Sequence, residues 1–164
     1  MSAVTWVKER LKGSPFEELH HRRAVTAQDL AHNEHVSGHR VAKVVVMFGD
    51  GKPLVLVLPA SHRVDMRLLR LVAGVKDLRM AEEGDLIRLY PECELGAEPP
   101  LSPEDWVPVW MDSAMRVDGD IVFNAGTHTD AVRMPFDQWF RRVKPQVGTF
   151  SEEMGAHRMP GWGG

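Results

Sequence analysis

The stretch that most restricts the fold runs from Gly38 to Pro59, GHRVAKVVVMFGDGKPLVLVLP, two apolar runs joined by Gly49-Asp50-Gly51-Lys52. Residues that accept positive φ between two runs of strand formers specify a tight hairpin. Strand side chains alternate between faces, so Lys43 shares one face with Val41, Val45 and Met47, while Ala42, Val44, Val46 and Phe48 take the other. Neither face is polar. Both strands are therefore expected at the centre of a covered sheet rather than on the skin of a sandwich. Lys43 is the exception in this pattern, because burying an ammonium without a partner is costly. It either snorkels to a strand end or pairs with an internal carboxylate, or it waits for an anionic ligand in a pocket.

Around this hairpin the chain alternates short helical and extended patterns. Val4, Val7 and Leu11 have helical spacing over residues 4 to 12, before Gly13-Ser14-Pro15 ends the segment. Residues 18 to 25 are polar and read as a short edge strand. Thr26-Ala27-Gln28-Asp29 has the form of a capping box, opening a helix that carries Leu30 and Ala31 inward and stops near Gly38. Between Arg63 and Gly74 the pattern is helical, with Val64, Leu68, Leu71 and Val75 on one arc and Arg63, Arg67 and Arg70 on the other. That arginine stripe is either a solvated face or a phosphate-tracking surface. A short strand at 77 to 80, a helix at 82 to 90 and strands at 107 to 111, 121 to 124 and 130 to 134 follow. Pro135 opens a last helix whose buried stripe is Phe136, Trp139, Phe140 and Val143, and residues 146 to 164 read as a tail.

Composition narrows the function classes. The 164 residues are 43% apolar and 26% charged with a net charge of -3, which describes one globular domain without a global attraction to nucleic acid. No DNA partner is expected, and RNA contact must come from a local basic patch. One cysteine, Cys93, excludes an internal disulfide framework, and no apolar run approaches a membrane span, so the chain reads as cytoplasmic. His32, His35 and His39 invite a zinc reading, but no nearby cysteine completes a ligand set, and neither metal nor cofactor is expected. Cys93 has no local histidine partner, and no GxSxG elbow, P-loop or HExxH motif occurs.

Three features converge instead: the strand lysine, the Gly/Pro-rich loop Glu92 to Pro103, and the small-residue bend Ala125-Gly126-Thr127-His128. Together they suit a pocket for an anionic, carbonyl-bearing ligand. The combination resembles the YbaK family, the prolyl-tRNA-synthetase-associated or aminoacyl-tRNA deacylase domain. The resemblance rests on Thr26-Ala27-Gln28, on His39 to Val46 with its lysine, on Leu58 to Asp65, on Gly96-Ala97-Glu98-Pro99-Pro100 with the family's G-x-x-x-P form, and on Asn124 to His128. It covers roughly residues 15 to 145, leaving residues 1 to 14 as an N-terminal helical extension.

The resemblance implies a mixed α/β (α+β) single domain around a strongly curved, mainly antiparallel sheet flanked by helices. It implies hydrolysis of the ester joining a wrong amino acid to tRNA, chiefly tRNA for proline, with aminoacyl-tRNA as partner and an aminoacyl-tRNA synthetase as a second one. Lys43 and Gly96 become the catalytic positions: Lys43 holds the terminal phosphate or orients the ester, and the Gly96 loop offers its backbone to the scissile carbonyl. Ala97 and Pro100 line the aminoacyl pocket, and Gly126, Thr127 and His128 form the substrate turn. Relatives often carry asparagine or a basic residue at the position of His128, so contact with the amino acid, assistance to a water and capping of the turn all stay open for it. The family has no conserved side-chain nucleophile, and a water assisted by the substrate's ribose hydroxyl is the usual proposal. The alternative reading is a non-catalytic module that binds the tRNA 3' end or a nucleotide.

Overall fold

The computed structural model describes residues 1–24 and 26–155. Its centre is the expected hairpin: β2 (Ala42–Gly49) pairs antiparallel with β3 (Lys52–Pro59), joined by a turn in which Asp50 and Gly51 both have positive φ. Those two conformations match the right-handed strand twist, which is why the turn is two residues long. Five strands make the main sheet. β5 (Leu78–Met80) flanks β2 antiparallel, while β6 (Val109–Asp112) lies parallel to β3, and β9 (Gln146–Gly148) lies parallel to β6.

A second sheet has the order β1, β8, β7, built from β1 (Glu17–His20), β7 (Asp120–Thr127) and β8 (Asp130–Pro135), all antiparallel. A bridge between Val41 and Val122 links it to the start of the hairpin. β4 (His62–Val64) and β10 (Ser151–Glu153) form a two-stranded ribbon. The architecture is thus a mixed, mainly antiparallel α/β domain with helices around it, as the sequence leads one to expect.

The helices are α1 (Ala3–Leu11), α2 (Ala27–Asn33), α3 (Met66–Ala73), α4 (Glu83–Leu89) and α5 (Phe136–Val143). Val7 and Leu11 of α1 are fully buried with Ile121 and Phe123 of β7 and Trp139 of α5, so the N-terminal helix is built into the main core. The Thr26 capping box forms as read, but α2 ends at Asn33, and Gly38–Arg40 is a separate 3₁₀ turn.

Two further expectations give way. Arg63 lies in β4 and not on a helix, because Asp65 caps the following helix by accepting the Leu68 N–H at 3.0 Å. The buried residue of α3 is accordingly Leu69, and Leu71 is exposed. The segment from 146 is no tail as far as residue 153, since it supplies β9 and β10. Between them Phe150 is fully buried, its N–H donating to the Asp112 carboxylate at 2.7 Å. Truncating such a ring would cost about 3–5 kcal/mol. Residues 156–164 and Val25 lie outside the described residues.

Candidate active site

A cleft of about 250 Å³ opens where the two larger sheets and α2 meet, between Thr26–Gln28, Ala42–Val44, Gly96, Glu98 and Asn124. Each wall follows from local sequence. Thr26 accepts the Asp29 N–H at 3.0 Å and so starts α2 at the rim. Gln28 Nε2 donates to the Ala60 carbonyl at 3.0 Å, tying α2 to the end of β3. Lys43, half-buried on β2 opposite Leu58, donates from Nζ to the carbonyl oxygen of His62. Burial lowers its pKa from the ordinary lysine value. Among the described residues no carboxylate reaches ion-pair distance of it. The lysine is therefore a desolvated donor at a cleft wall, held by one neutral acceptor.

The opposite wall is the loop after α4. Gly96 has φ +86°, the left-handed region that favours glycine, and a Cβ there would lie 3.4 Å from His128 Cε1. The loop is strapped from behind by the β7–β8 bend. Glu94 N–H donates to the Gly126 carbonyl at 2.8 Å, Gly126 N–H to the Ala97 carbonyl at 3.0 Å, and His128 N–H to Glu94 Oε1 at 2.7 Å. The His128 ring lies between two carbonyl oxygens, Leu95 O at 2.7 Å from Nε2 and Ala24 O at 3.1 Å from Nδ1. Further along, Tyr90 donates its hydroxyl to Leu101 O at 2.8 Å and Trp139 Nε1 donates to Pro100 O at 3.0 Å. A loop this poor in regular ladders is held by side chains from three other elements.

The structure thus brings Lys43 and Gly96 to one cleft and places the other expected site residues elsewhere. Ala97 and Pro100 are buried within the loop, outside the cleft lining. Gly126 packs against α1, and Thr127 donates to Asp130 Oδ2 at 2.6 Å. His128 is buried with both ring nitrogens engaged, outside the cleft lining. Arg67 and Arg70 are exposed on α3, while Arg63 faces Glu152 at 3.7 Å across the ribbon. Burial, with the neighbouring Glu98 and Glu92, pushes the Cys93 thiol up to about 12, so it stays protonated and a poor nucleophile. Among the described residues no group of histidines, cysteines and carboxylates is arranged to hold a metal ion.

Two cleft residues were passed over in reading the motifs by their glycines. Glu98, 7% exposed, accepts the Gly96 N–H at 3.1 Å through Oε2. The Ala97 N–H is likewise used, by Glu94 O at 3.0 Å. These two donors, at the glycine of the motif and the residue after it, are engaged and do not stand free as the loop's composition suggests. Burial raises the Glu98 pKa, and the opposing pull of its own N–H, the Gly96 N–H and His128 does not cancel this. Asn124, 8% exposed, is the last regularly paired residue of β7 before an irregularity that ends at Thr127, and its Oδ1 is buried without a partner. The signal for Asn124 was the one that exposed Lys43, a polar residue inside an apolar run, whereas Glu98 lies in a Gly/Pro loop with other glutamates and carries no such signal.

Comparison with solved structures gives the same fold. One, provisionally named as a trans-editing enzyme for prolyl tRNA synthetase, matches with a TM-score of 0.80 at 17% identity, covering 92% of this chain and 95% of that one. A hypothetical protein matches with a TM-score of 0.78 at 19% identity over 90% of this chain and 97% of its own. In a longer protein from Marinobacter aquaeolei VT8, 95% of this chain corresponds to 32% of that chain, with a TM-score of 0.73 and 16% identity. Among curated proteins none matches. The aminoacyl-tRNA editing domain matches residues 21–141, a span that takes in Lys43, Gly96, Glu98 and Asn124. The chain belongs to the aminoacyl-tRNA editing domain family.

Proposed function

We propose that this chain is a trans-editing hydrolase that releases a mischarged amino acid from tRNA, with tRNA for proline as the favoured carrier. The observation that carries the reading is the meeting of Lys43 and the Gly96 loop across one cleft. In the reaction, the oxygen of a water bonds to the ester carbonyl carbon and the bond from that carbon to the ribose oxygen breaks. The ribose oxygen keeps the electron pair and takes a proton, for which the neighbouring ribose hydroxyl is the carrier. An aminoacyl ester is already activated, so positioning and charge stabilisation suffice without a nucleophilic side chain. Lys43 contributes a cation whose hydration is partly stripped by burial, suited to hold the terminal phosphate or to orient the ester. Gly96 N–H becomes a donor to the carbonyl oxygen once the Glu98 carboxylate turns away from it.

That engaged N–H is also the observation on the side of the second reading, a non-catalytic module for the tRNA 3' end. The two separate in one experiment. Purified protein is incubated with alanyl-, cysteinyl-, seryl- and threonyl-tRNA, and the loss of aminoacyl ester is followed. Acceleration of at least one deacylation, mostly lost in Lys43→Ala, is expected. Binding of charged tRNA without any acceleration across the panel would establish the module instead.

A further inference from the structure

The cleft is bipolar. At one wall stands Lys43, donating to a neutral carbonyl with no carboxylate partner among the described residues. In the same lining stand two acceptors, the buried Glu98 carboxylate and the buried, unpartnered Oδ1 of Asn124, the latter lying two residues beyond the Val41–Val122 bridge that sets β7 beside β2. An unsatisfied buried acceptor costs about 1–3 kcal/mol, so a cleft that keeps one is organised for a ligand that donates. Glu98 uses Oε2 on the Gly96 N–H, and a carboxylate has lone pairs to spare for a further donor.

Asn124 reaches the cleft for a backbone reason. Val122 packs with α2 and its neighbours, whereas Phe123 and Ala125 face the main core, so alternation sends Asn124 to the α2 side. The irregularity that follows it in β7 breaks the ladder at this point, and such bulges re-aim side chains next to functional sites. Glu98 comes from the other direction, on a loop pinned by Tyr90 and Trp139. Two independent elements thus present acceptors to one space.

From this juxtaposition we infer that Asn124 and Glu98 form a receptor for the free α-ammonium group of the bound aminoacyl ester, making the cleft selective against N-acylated aminoacyl-tRNA. The inference rests on the deacylase reading for the identity of the ligand. An aminoacyl ester on a terminal nucleotide carries both a phosphate and an ammonium, and the one cleft lining offers a cation, Lys43, and an acceptor pair to meet them. The ammonium also gives Glu98 a partner better than a neutral amide N–H, since hydrogen bonds with charge on both sides are the stronger ones. As Glu98 turns to it, the Gly96 N–H is released beside the carbonyl carbon, one bond away from the carbon that bears the ammonium. Binding of the correct end of the substrate would in this way uncover the donor.

The test uses non-hydrolysable 3'-aminoacylamido-3'-deoxyadenosines carrying alanine, serine or proline, each paired with its N-acetyl counterpart, with binding measured by calorimetry. Wild-type protein should prefer at least one free amine by about thirtyfold, the scale of one charge-assisted hydrogen bond. Glu98→Gln and Asn124→Leu should each reduce the preference to a few-fold, whereas Asn124→Asp, which keeps the acceptor, should retain it. Thermal melting confirms that each variant is folded. Equal binding of free and acetylated forms by the wild type, or a preference untouched in folded Glu98→Gln and Asn124→Leu, would overturn the inference. Deacylation of free and N-acetylated aminoacyl-tRNA separates the two levels. Turnover of both at one rate removes the ammonium receptor and leaves the hydrolase, while a free-amine preference in binding without turnover removes the hydrolase and leaves the receptor.

Discussion

His128 Nε2 lies 2.7 Å from the carbonyl oxygen of Leu95, so the β7–β8 bend grips the residue directly before Gly96. The same ring reaches Ala24 O through Nδ1, and with both nitrogens on protein carbonyls neither is turned toward the cleft. Of the roles the sequence leaves open for this histidine, the geometry favours capping of the turn, which makes it a positioning residue for the loop.

A positioning role predicts a particular pattern of loss. His128→Ala removes the ring held between the Leu95 and Ala24 carbonyls, leaving at least one of them without a donor and a void behind the loop, a destabilisation of about 2–4 kcal/mol. Deacylation should fall mainly through kcat, because Gly96 is no longer held opposite Lys43. His128→Asn, which can still donate, should recover part of both stability and rate. The decisive measurement is the pH–rate profile. It should keep its shape in His128→Asn, and disappearance of an ionisation there would assign the ring to the chemistry instead.

Gly126 makes a second, sterically defined prediction. Its φ is +93°, and a Cβ placed on it would lie 2.5 Å from the Cβ of Ala3. Gly126→Ala should therefore destabilise by about 2–4 kcal/mol, combining left-handed strain with overpacking against α1. Adding Ala3→Gly should restore the overpacking part and leave the strain. Chemical denaturation of the three variants measures this, and a double variant no better than Gly126→Ala would show that α1 does not press on the bend.

Much of the fold was legible because it is encoded locally. The hairpin follows from Val44 to Phe48, Leu54 to Leu58 and the two positive-φ residues between them, and α2 announces itself through Thr26 and Asp29. β9 and β10 were not legible. Gln146–Gly148 and Ser151–Glu153 are three residues each and carry little apolar pattern, and their partners β6 and β4 are distant in sequence, so tertiary pairing alone makes them strands. The site divides in the same way. Lys43 and Gly96 stand out by residue type and motif. Whether Glu98 points into the cleft or out to solvent, and whether Asn124 finds a partner, depends on side-chain directions that no spacing specifies.

The basic surface is smaller than the sequence suggests. Arg67 and Arg70 remain on the outside of α3, with Arg70 Nε donating to the Lys76 carbonyl at 3.2 Å, while Arg63 belongs to the ribbon. If α3 tracks the tRNA backbone, Arg67→Glu with Arg70→Glu should raise KM for tRNA about tenfold and leave kcat unchanged. The slope of log affinity against log salt should shrink by about one to two, one phosphate contact per arginine. Unchanged KM and slope would make the helix face an ordinary solvated one.

The two cleft charges predict opposite pH dependences of stability. Lys43 has a folded pKa below its ordinary value, so the unfolded chain binds the proton more tightly. Its penalty is complete at neutral pH and fades as pH rises through the folded value toward the ordinary lysine range. Glu98 has a folded pKa above its ordinary value, so the folded chain holds the proton more tightly. Its favourable contribution is complete below the ordinary carboxylate range and is lost as pH rises through the folded value. Relative to Lys43→Met, the wild type should therefore gain stability on moving from pH 7 toward pH 10. Relative to Glu98→Gln, which keeps an acceptor for the Gly96 N–H, it should lose stability on moving from pH 4 toward pH 7. Urea denaturation across pH reads both differences. Parallel curves for wild type and Glu98→Gln would mean that the carboxylate is solvated as in the unfolded chain, and the acceptor wall of the cleft would then be open to water rather than held ready for a cation.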